Sequence, residues 1–283
     1  MYQFLYIVPL LLVVGFLNYN PQMLFGNFGY YHWGWQCSLL ATLVIIGFFR
    51  YRERTHWKEL LGIGFKARDV IAFLLLTSVI VFASYWLIKY IVISNGYSFN
   101  LLLTGYNQFD NLKGLPFHAI LSSYLYYIPQ TFNEEMIVGA LLLFSLKRRF
   151  KSANNLTIAA LVALVFSLMH QAMYKYSPVQ PGELLTVTTL TSLFLVGVLR
   201  NLLILRSGKI TYAWAIHLSW NLLFFTTLIL LPNGEFASEP RRFNLILGDS
   251  YMLAIIGVAT ILVAAWPWVS LNMLGTTTRF MGD

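Results

Sequence analysis

The sequence predicts an all-α fold, a polytopic transmembrane helix bundle of about eight spans, and three observations carry that prediction. Of 283 residues, 58% are hydrophobic and only 11% charged, whereas soluble domains carry about 25% charged residues. Apolar runs close to the roughly 20 residues that cross a bilayer as a helix recur eight times. The basic residues are shared unevenly between loops on alternate sides of those runs. Length and pattern together give a single membrane domain, residues 1–283, with no soluble domain beside it.

The runs fall at 2–18, 35–49, 69–93, 117–146, 155–173, 184–205, 210–231 and 249–272. The first has no basic stretch before it and no small-residue cleavage site after it, so it reads as a retained helix and not a signal peptide. The second is short, which means that it begins nearer Tyr30 or lies tilted. Between Tyr51 and Asp69, Trp57, Leu60, Leu61, Ile63 and Phe65 are mixed with charges. That segment is either an interfacial amphipathic helix or a structured loop, and both readings stay open. The fourth run contains Asn133, Glu134 and Glu135, with Pro129 before them as an expected kink. The fifth carries Phe166 and His170, and the seventh Trp214, His217, Trp220 and Asn221. Gly, Pro and Asn mark 94–116, 174–183 and 232–248 as connectors. No internal repeat appears, which weighs against an inverted-repeat transporter that would use the Glu and His residues as a proton relay.

Fourteen of the 19 basic residues are assigned to the segments after runs two, four and six and to the C-terminal tail: Arg50, Arg52, Arg54, Lys58, Lys66, Arg68, Lys147, Arg148, Arg149, Lys151, Arg200, Arg206, Lys209 and Arg279. Lys89, Lys113, Lys175, Arg241 and Arg242 remain for the other side. The positive-inside rule makes the richer side cytoplasmic, and the expected topology is N-terminus outside, C-terminus cytoplasmic. The net charge of +8 is thus a matter of membrane orientation. The lipid bilayer is an expected partner and nucleic acid is not. Cys37 is the only cysteine, which excludes an internal disulfide and a four-thiolate metal site.

Ionisable groups inside a membrane are costly and point to a functional site. Glu134 and Glu135 stand roughly 20 Å from the basic edge at Lys147, at about 1.5 Å per residue. Adjacent helical positions point about 100° apart, so one carboxylate can face a cavity while the other meets a neighbouring helix, and at least one must be protonated or paired. Phe166 and His170 share a helix face, as do His217 and Asn221. One alternative is that these groups only tie helices together by hydrogen bonds. The other is chemistry: a carboxylate base, two imidazoles and a carboxamide are what water-driven peptide hydrolysis needs. Glu134, His170 and His217 are also a two-His, one-carboxylate set of the kind that holds zinc (Zn2+) with room for water, so the residues alone leave a metal cofactor open. There is no His-Glu-x-x-His helix, no Gly-x-Ser-x-Gly elbow, and no histidine within a turn of Cys37.

In order and spacing these clusters resemble the CPBP intramembrane proteases, which include the type II CAAX prenyl endopeptidases and the Abi bacteriocin-immunity proteins. Their motifs are Glu-Glu-x-x-x-Arg, Phe-x-x-x-His and His-x-x-x-Asn. Here they correspond to Glu134-Glu135 with Gly139 in the arginine's place, Phe166 to His170, and His217 to Asn221. The stretch from Phe194 through Gly197 and Arg206-Ser207-Gly208 resembles the family's lead-in to its last motif, and the likeness covers about 117–231. It implies an intramembrane endopeptidase that hydrolyses a peptide bond of a membrane-associated or lipid-modified protein. By that likeness Glu134 is the base, assisted by His170, on a glutamate-activated water in preference to zinc. His217 and Asn221 form the oxyanion site, and Glu135 orients its partner or holds the bundle. Gly139 is the one departure, and it favours the alternative function, a catalytically silent binding or immunity protein of the same fold.

Overall fold

The computed structural model describes residues 21–52, 67–94, 99–102, 117–175, 187–224, 229–232 and 250–265, with Tyr6, Pro9, Leu10, Val13, Val14 and Leu17 from the first run. The described residues are almost wholly helical. In order come α1 (Pro21–Tyr51), α2 (Ala67–Ser94), strand β1 (Phe99–Leu102) and α3 (Phe117–Glu134). A π-helical segment (Glu135–Leu142) continues α3 into α4 (Leu143–Arg149). Then follow α5 (Asn155–Lys175), α6 (Val187–Ser207), α7 (Thr211–Phe224), strand β2 (Ile229–Pro232) and α8 (Ser250–Ala265). Most of the first run, and the Tyr51–Asp69 segment from residue 53 to 66, lie outside the described residues.

Several elements differ from expectation. Helix α1 begins at Pro21, well before the second apolar run. Glycines and aromatics dilute hydropathy over 21–34 without stopping a helix, and proline is well suited to a first helical position. Helix α3 runs through Pro129, and the departure from α geometry comes six residues later, at Glu135. Strand β1 lies in the connector 94–116, and β2 at the end of the seventh run, 210–231, where the sequence predicts helix; the two pair antiparallel, with Phe99 opposite Pro232 and Leu102 opposite Ile229. This ribbon ties the connector after α2 to the one after α7.

Two parts of the topology reading are corrected. Eight crossings return a chain to the side from which it started, so an outside N-terminus and a cytoplasmic C-terminus cannot both hold. The guanidinium of Arg52 lies 4.3 Å over the ring of Tyr6, so the start of the first run and the end of α1 share one end of the bundle. Arg200, counted among the loop cations, lies within α6 and is 5% exposed.

Small residues and polar locks set the packing. Helices α5 and α6 meet where a Cβ on Gly197 would fall 2.9 Å from Ala163 Cβ, the close approach that small residues allow between membrane helices. The Asn201 amide crosses the same seam to donate to the Ala159 carbonyl at 2.9 Å. Helix α1 is held to α3 by Asn133, which accepts from Thr42 Oγ1 (2.7 Å) and donates to the Ser38 carbonyl (2.8 Å). Helix α7 leans on α3 through Trp214, whose indole donates to Thr131 Oγ1 at 3.1 Å, and on α2 through Ser219, which donates to the Leu74 carbonyl at 3.3 Å. After α6, Gly208 takes the left-handed conformation (φ 68°) and its N–H returns to the Ile204 carbonyl. This is a glycine C-cap that turns the chain into α7.

Inside lie Met136, Leu141, Leu143, Ile158, Ile204 and Ile210, joined by Leu10 and Val14 of the first run. Outside, Leu75, Leu76 and Val79 of α2, Leu161, Leu164 and Leu168 of α5, and Ile261 and Leu262 of α8 are exposed. Apolar surface this extensive is foreign to a water-soluble monomer. Among the described residues, two helices are long and apolar enough to cross a membrane, 155–172 and Val187–Ser207. A lipid-embedded bundle accounts for both observations.

Candidate active site

The site is built where the π segment meets α5, α6 and α7. A π turn closes i→i+5 hydrogen bonds and is frequent at functional sites; here it begins at Glu135, and all eight of its residues are buried. Gly139 lies one turn along. A Cβ there would meet Glu135 Oε2 and Ile204 Cδ1, each at 2.8 Å, so the missing side chain gives Glu135 room to lie along its own helix beside α6.

The two glutamates have separate surroundings, as adjacent helical positions require. Glu135 is fully buried. Its Oε1 is 2.9 Å from His217 Nδ1 and 3.5 Å from Arg200 Nη1. With the arginine as countercharge Glu135 is an acceptor, and the His217 Nδ1–H donates to it. That fixes the imidazole and turns its Nε2 toward Glu134, 3.8 Å from Oε2. The separation is too long for a direct hydrogen bond and suits a bridging water. Glu134 Oε1 accepts from the Gln130 side-chain amide, while its buried Oε2 has no hydrogen-bond partner. Gln130 in turn accepts from Asn221 Nδ2 at 3.4 Å. A continuous polar path thus runs from Asn221 through Gln130 to Glu134, and from His217 to Glu135 and Arg200.

His170 joins this cluster without a hydrogen bond to either glutamate. Its Nδ1 is 2.9 Å from the Phe166 carbonyl one turn back, and its ring lies 4.4 Å from the Phe166 ring. It is near enough for the charges of Glu134, His217 and Arg200 to act on it. The other face of this aromatic pair is closed by Arg200, whose guanidinium carbon sits 4.2 Å from the Phe166 ring centre.

All five residues singled out in the sequence, Glu134, Glu135, His170, His217 and Asn221, therefore lie in one neighbourhood. Three further residues belong with them. Neither Gln130 nor Asn201 is singled out in the sequence, and Arg200 is placed there among the loop cations. The signal that could have found Gln130 is its place one turn before Glu134; for Arg200 it is a charge seven residues inside the end of a span. Among the described residues, no three His, Cys, Asp or Glu side chains are grouped so as to hold a metal ion. Glu134, His170 and His217 do not present a Zn2+ ligand set as arranged.

A lipid-embedded helical bundle with paired glutamates turned toward a histidine from a neighbouring helix has the fold class and side-chain set of the CAAX protease-like membrane proteins. Residues 116–223 match the family model for type II CAAX prenyl endopeptidase Rce1-like proteins. No curated protein and no solved structure matches the chain.

Proposed function

We propose that this protein is an active intramembrane endopeptidase that cleaves a membrane-associated, lipid-modified peptide with a water activated by Glu134. The observation that carries the reading is the unpartnered Oε2 of Glu134 facing His217 Nε2 across 3.8 Å, within the segment that matches the family. A water between these atoms gives its proton to Glu134 as its oxygen attacks the scissile carbonyl carbon. Asn221 and the imidazolium form of His217, which carries a proton on Nε2 as well as Nδ1, donate to the resulting oxyanion and stabilise it. As the tetrahedral species collapses the C–N bond breaks, and the amine leaves with the proton held by Glu134. His170, anchored through Nδ1 to the Phe166 carbonyl, offers its remaining nitrogen to the same water.

The reading includes eight spans with both termini and the basic loops on the cytoplasmic side, in keeping with the Tyr6–Arg52 contact and the positive-inside rule. Gly139 on its own favours a silent relative. The cation that Arg200 brings to Glu135 removes the main reason for that alternative.

The test is cleavage of a fluorogenic prenylated peptide by the purified protein in proteoliposomes. Glu134→Gln is expected to lower kcat by about 10²–10⁴, the usual worth of a positioned acid–base group, with normal insertion and melting. Undiminished cleavage in both Glu134→Ala and His170→Ala would overturn the assignment.

A further inference from the structure

We propose that Arg200 is the positioning residue of this site, supplying to Glu135 from α6 the cation that position 139 of the Glu-Glu-x-x-x-Arg pattern lacks in this chain. The inference rests on the hydrolase reading for its kinetic consequence but on the side-chain cluster for its substance.

Two observations on opposite helices fit one another. At 139 a side chain would have to displace its neighbours, since even a Cβ would fall 2.8 Å from both Glu135 Oε2 and Ile204 Cδ1. Ile204 is one helical turn beyond Arg200. The absence of a side chain at 139 therefore lets Glu135 lie against the face of α6 that carries Arg200. A fully buried carboxylate needs a countercharge, and Arg200 Nη1 at 3.5 Å supplies it. The arginine is itself held in place. Its Nε and Nη2 donate to Asn201 Oδ1 at 3.4 and 3.3 Å, and Asn201 is anchored to the Ala159 carbonyl. A guanidinium suits this position because it can stack on Phe166 with its face while its edge points at the carboxylate.

The position links the two histidines. On one side Arg200 pairs with Glu135, which holds His217 Nδ1 at 2.9 Å. On the other it stacks on Phe166, whose ring packs on His170 and whose carbonyl binds His170 Nδ1. Both imidazoles are thus one side chain away from the same cation, and neither touches it through a hydrogen bond. Arg200 acts through Glu135 and Phe166 and touches no substrate.

The experiment compares Arg200→Met, which keeps the stem and removes the charge, with Arg200→Lys, in the full-length protein in lipid nanodiscs. Imidazole 15N spectra of the five histidines provide a readout independent of turnover. Arg200→Met is expected to shift both His217 and His170, and Arg200→Lys to leave His217 in place. With a prenylated peptide, Arg200→Met should lose about 100-fold in kcat with KM little changed, the usual cost of misplacing a reacting group by about 1 Å. Arg200→Lys should lose no more than about tenfold. An unmoved His217 signal in Arg200→Met, or equal kcat losses in the Met and Lys variants, overturns the proposal. If the unaltered protein cleaves no peptide, the hydrolase reading fails, and the 15N comparison still decides whether Arg200 sets the two imidazoles.

Discussion

Two glycines, Gly139 and Gly197, bring their helices close to α6 and α5, and replacing each by alanine separates catalysis from stability. At Gly139 the new methyl would stand 2.8 Å from Glu135 Oε2 and 2.8 Å from Ile204 Cδ1. Carbon atoms in contact prefer about 3.5–4.0 Å, so each neighbour must retreat by about 0.7 Å or more. Both are the far ends of flexible side chains and can do so. The structural cost is then at the low end of overpacking, about 1 kcal/mol, and is partly offset by the up to about 1 kcal/mol that alanine gains over glycine in a helix. The retreat of Oε2 swings Oε1 away from His217, now at 2.9 Å, and from Arg200, at 3.5 Å. A displacement near 1 Å costs about 100-fold in rate. At Gly197 the methyl would meet Ala163 Cβ at 2.9 Å and Ala163 Cα at 3.1 Å. Backbone cannot step aside, so the α5–α6 seam must open, at a cost of about 2–3 kcal/mol. Thermal melting in detergent and peptide cleavage by the same preparations measure the contrast. Gly139→Ala should melt near the unaltered protein and turn over about 100-fold more slowly, and Gly197→Ala should melt well below both. A Gly139→Ala protein with full activity would refute the reasoning, because it would mean that the position of Glu135 does not matter.

Two further substitutions probe the polar path. Asn133→Leu removes both bonds to α1 and should destabilise by about 1–2 kcal/mol while leaving kcat of the folded fraction unchanged; denaturant melts paired with single-turnover cleavage measure the two effects. Gln130→Leu cuts the link between Asn221 and Glu134 and should lower kcat by about tenfold or more with little change in melting. Asn221→Ala, which also removes the proposed oxyanion donor, should lower it by about 10²–10³.

The parts of this molecule legible in the sequence are those that repeat or that have a hydropathy cost. Helices α2, α3 and α5 fall close to their apolar runs because burial in lipid demands uniform greasiness. Glu134, Glu135, His170, His217 and Asn221 stood out because polar atoms in such runs are rare. The rest was hidden for identifiable reasons. The extension of α1 to Pro21 lies in a stretch whose glycines and aromatics dilute hydropathy without preventing a helix. The β1–β2 ribbon pairs segments more than a hundred residues apart, and local pattern carries no information about such a partner. The π turn at Glu135 changes which backbone groups pair and leaves no mark on hydropathy. Arg200 was lost by the way charge is counted, since the positive-inside rule treats every cation near a run's edge as a loop residue. Seven residues into a helix, a cation is instead a buried group that must find an anion.

Gly139 and Arg200 are better understood as one exchange than as one loss. A motif arginine at 139 would approach the carboxylate along its own helix and would need the volume that Ile204 now fills against Gly139. Moving the cation to α6 keeps the charge at Glu135 while letting the two helices close, and it adds a stack on Phe166 that a residue at 139 does not have in this arrangement. Removing the cation without replacement would leave the fully buried Glu135 without its arginine partner, and an uncompensated buried charge costs about 3–5 kcal/mol. A chain that had abandoned chemistry would shed that cost by replacing Glu135 as well. Here the glutamate, its histidine and an arginine from α6 stand together, and that combination argues for a working site.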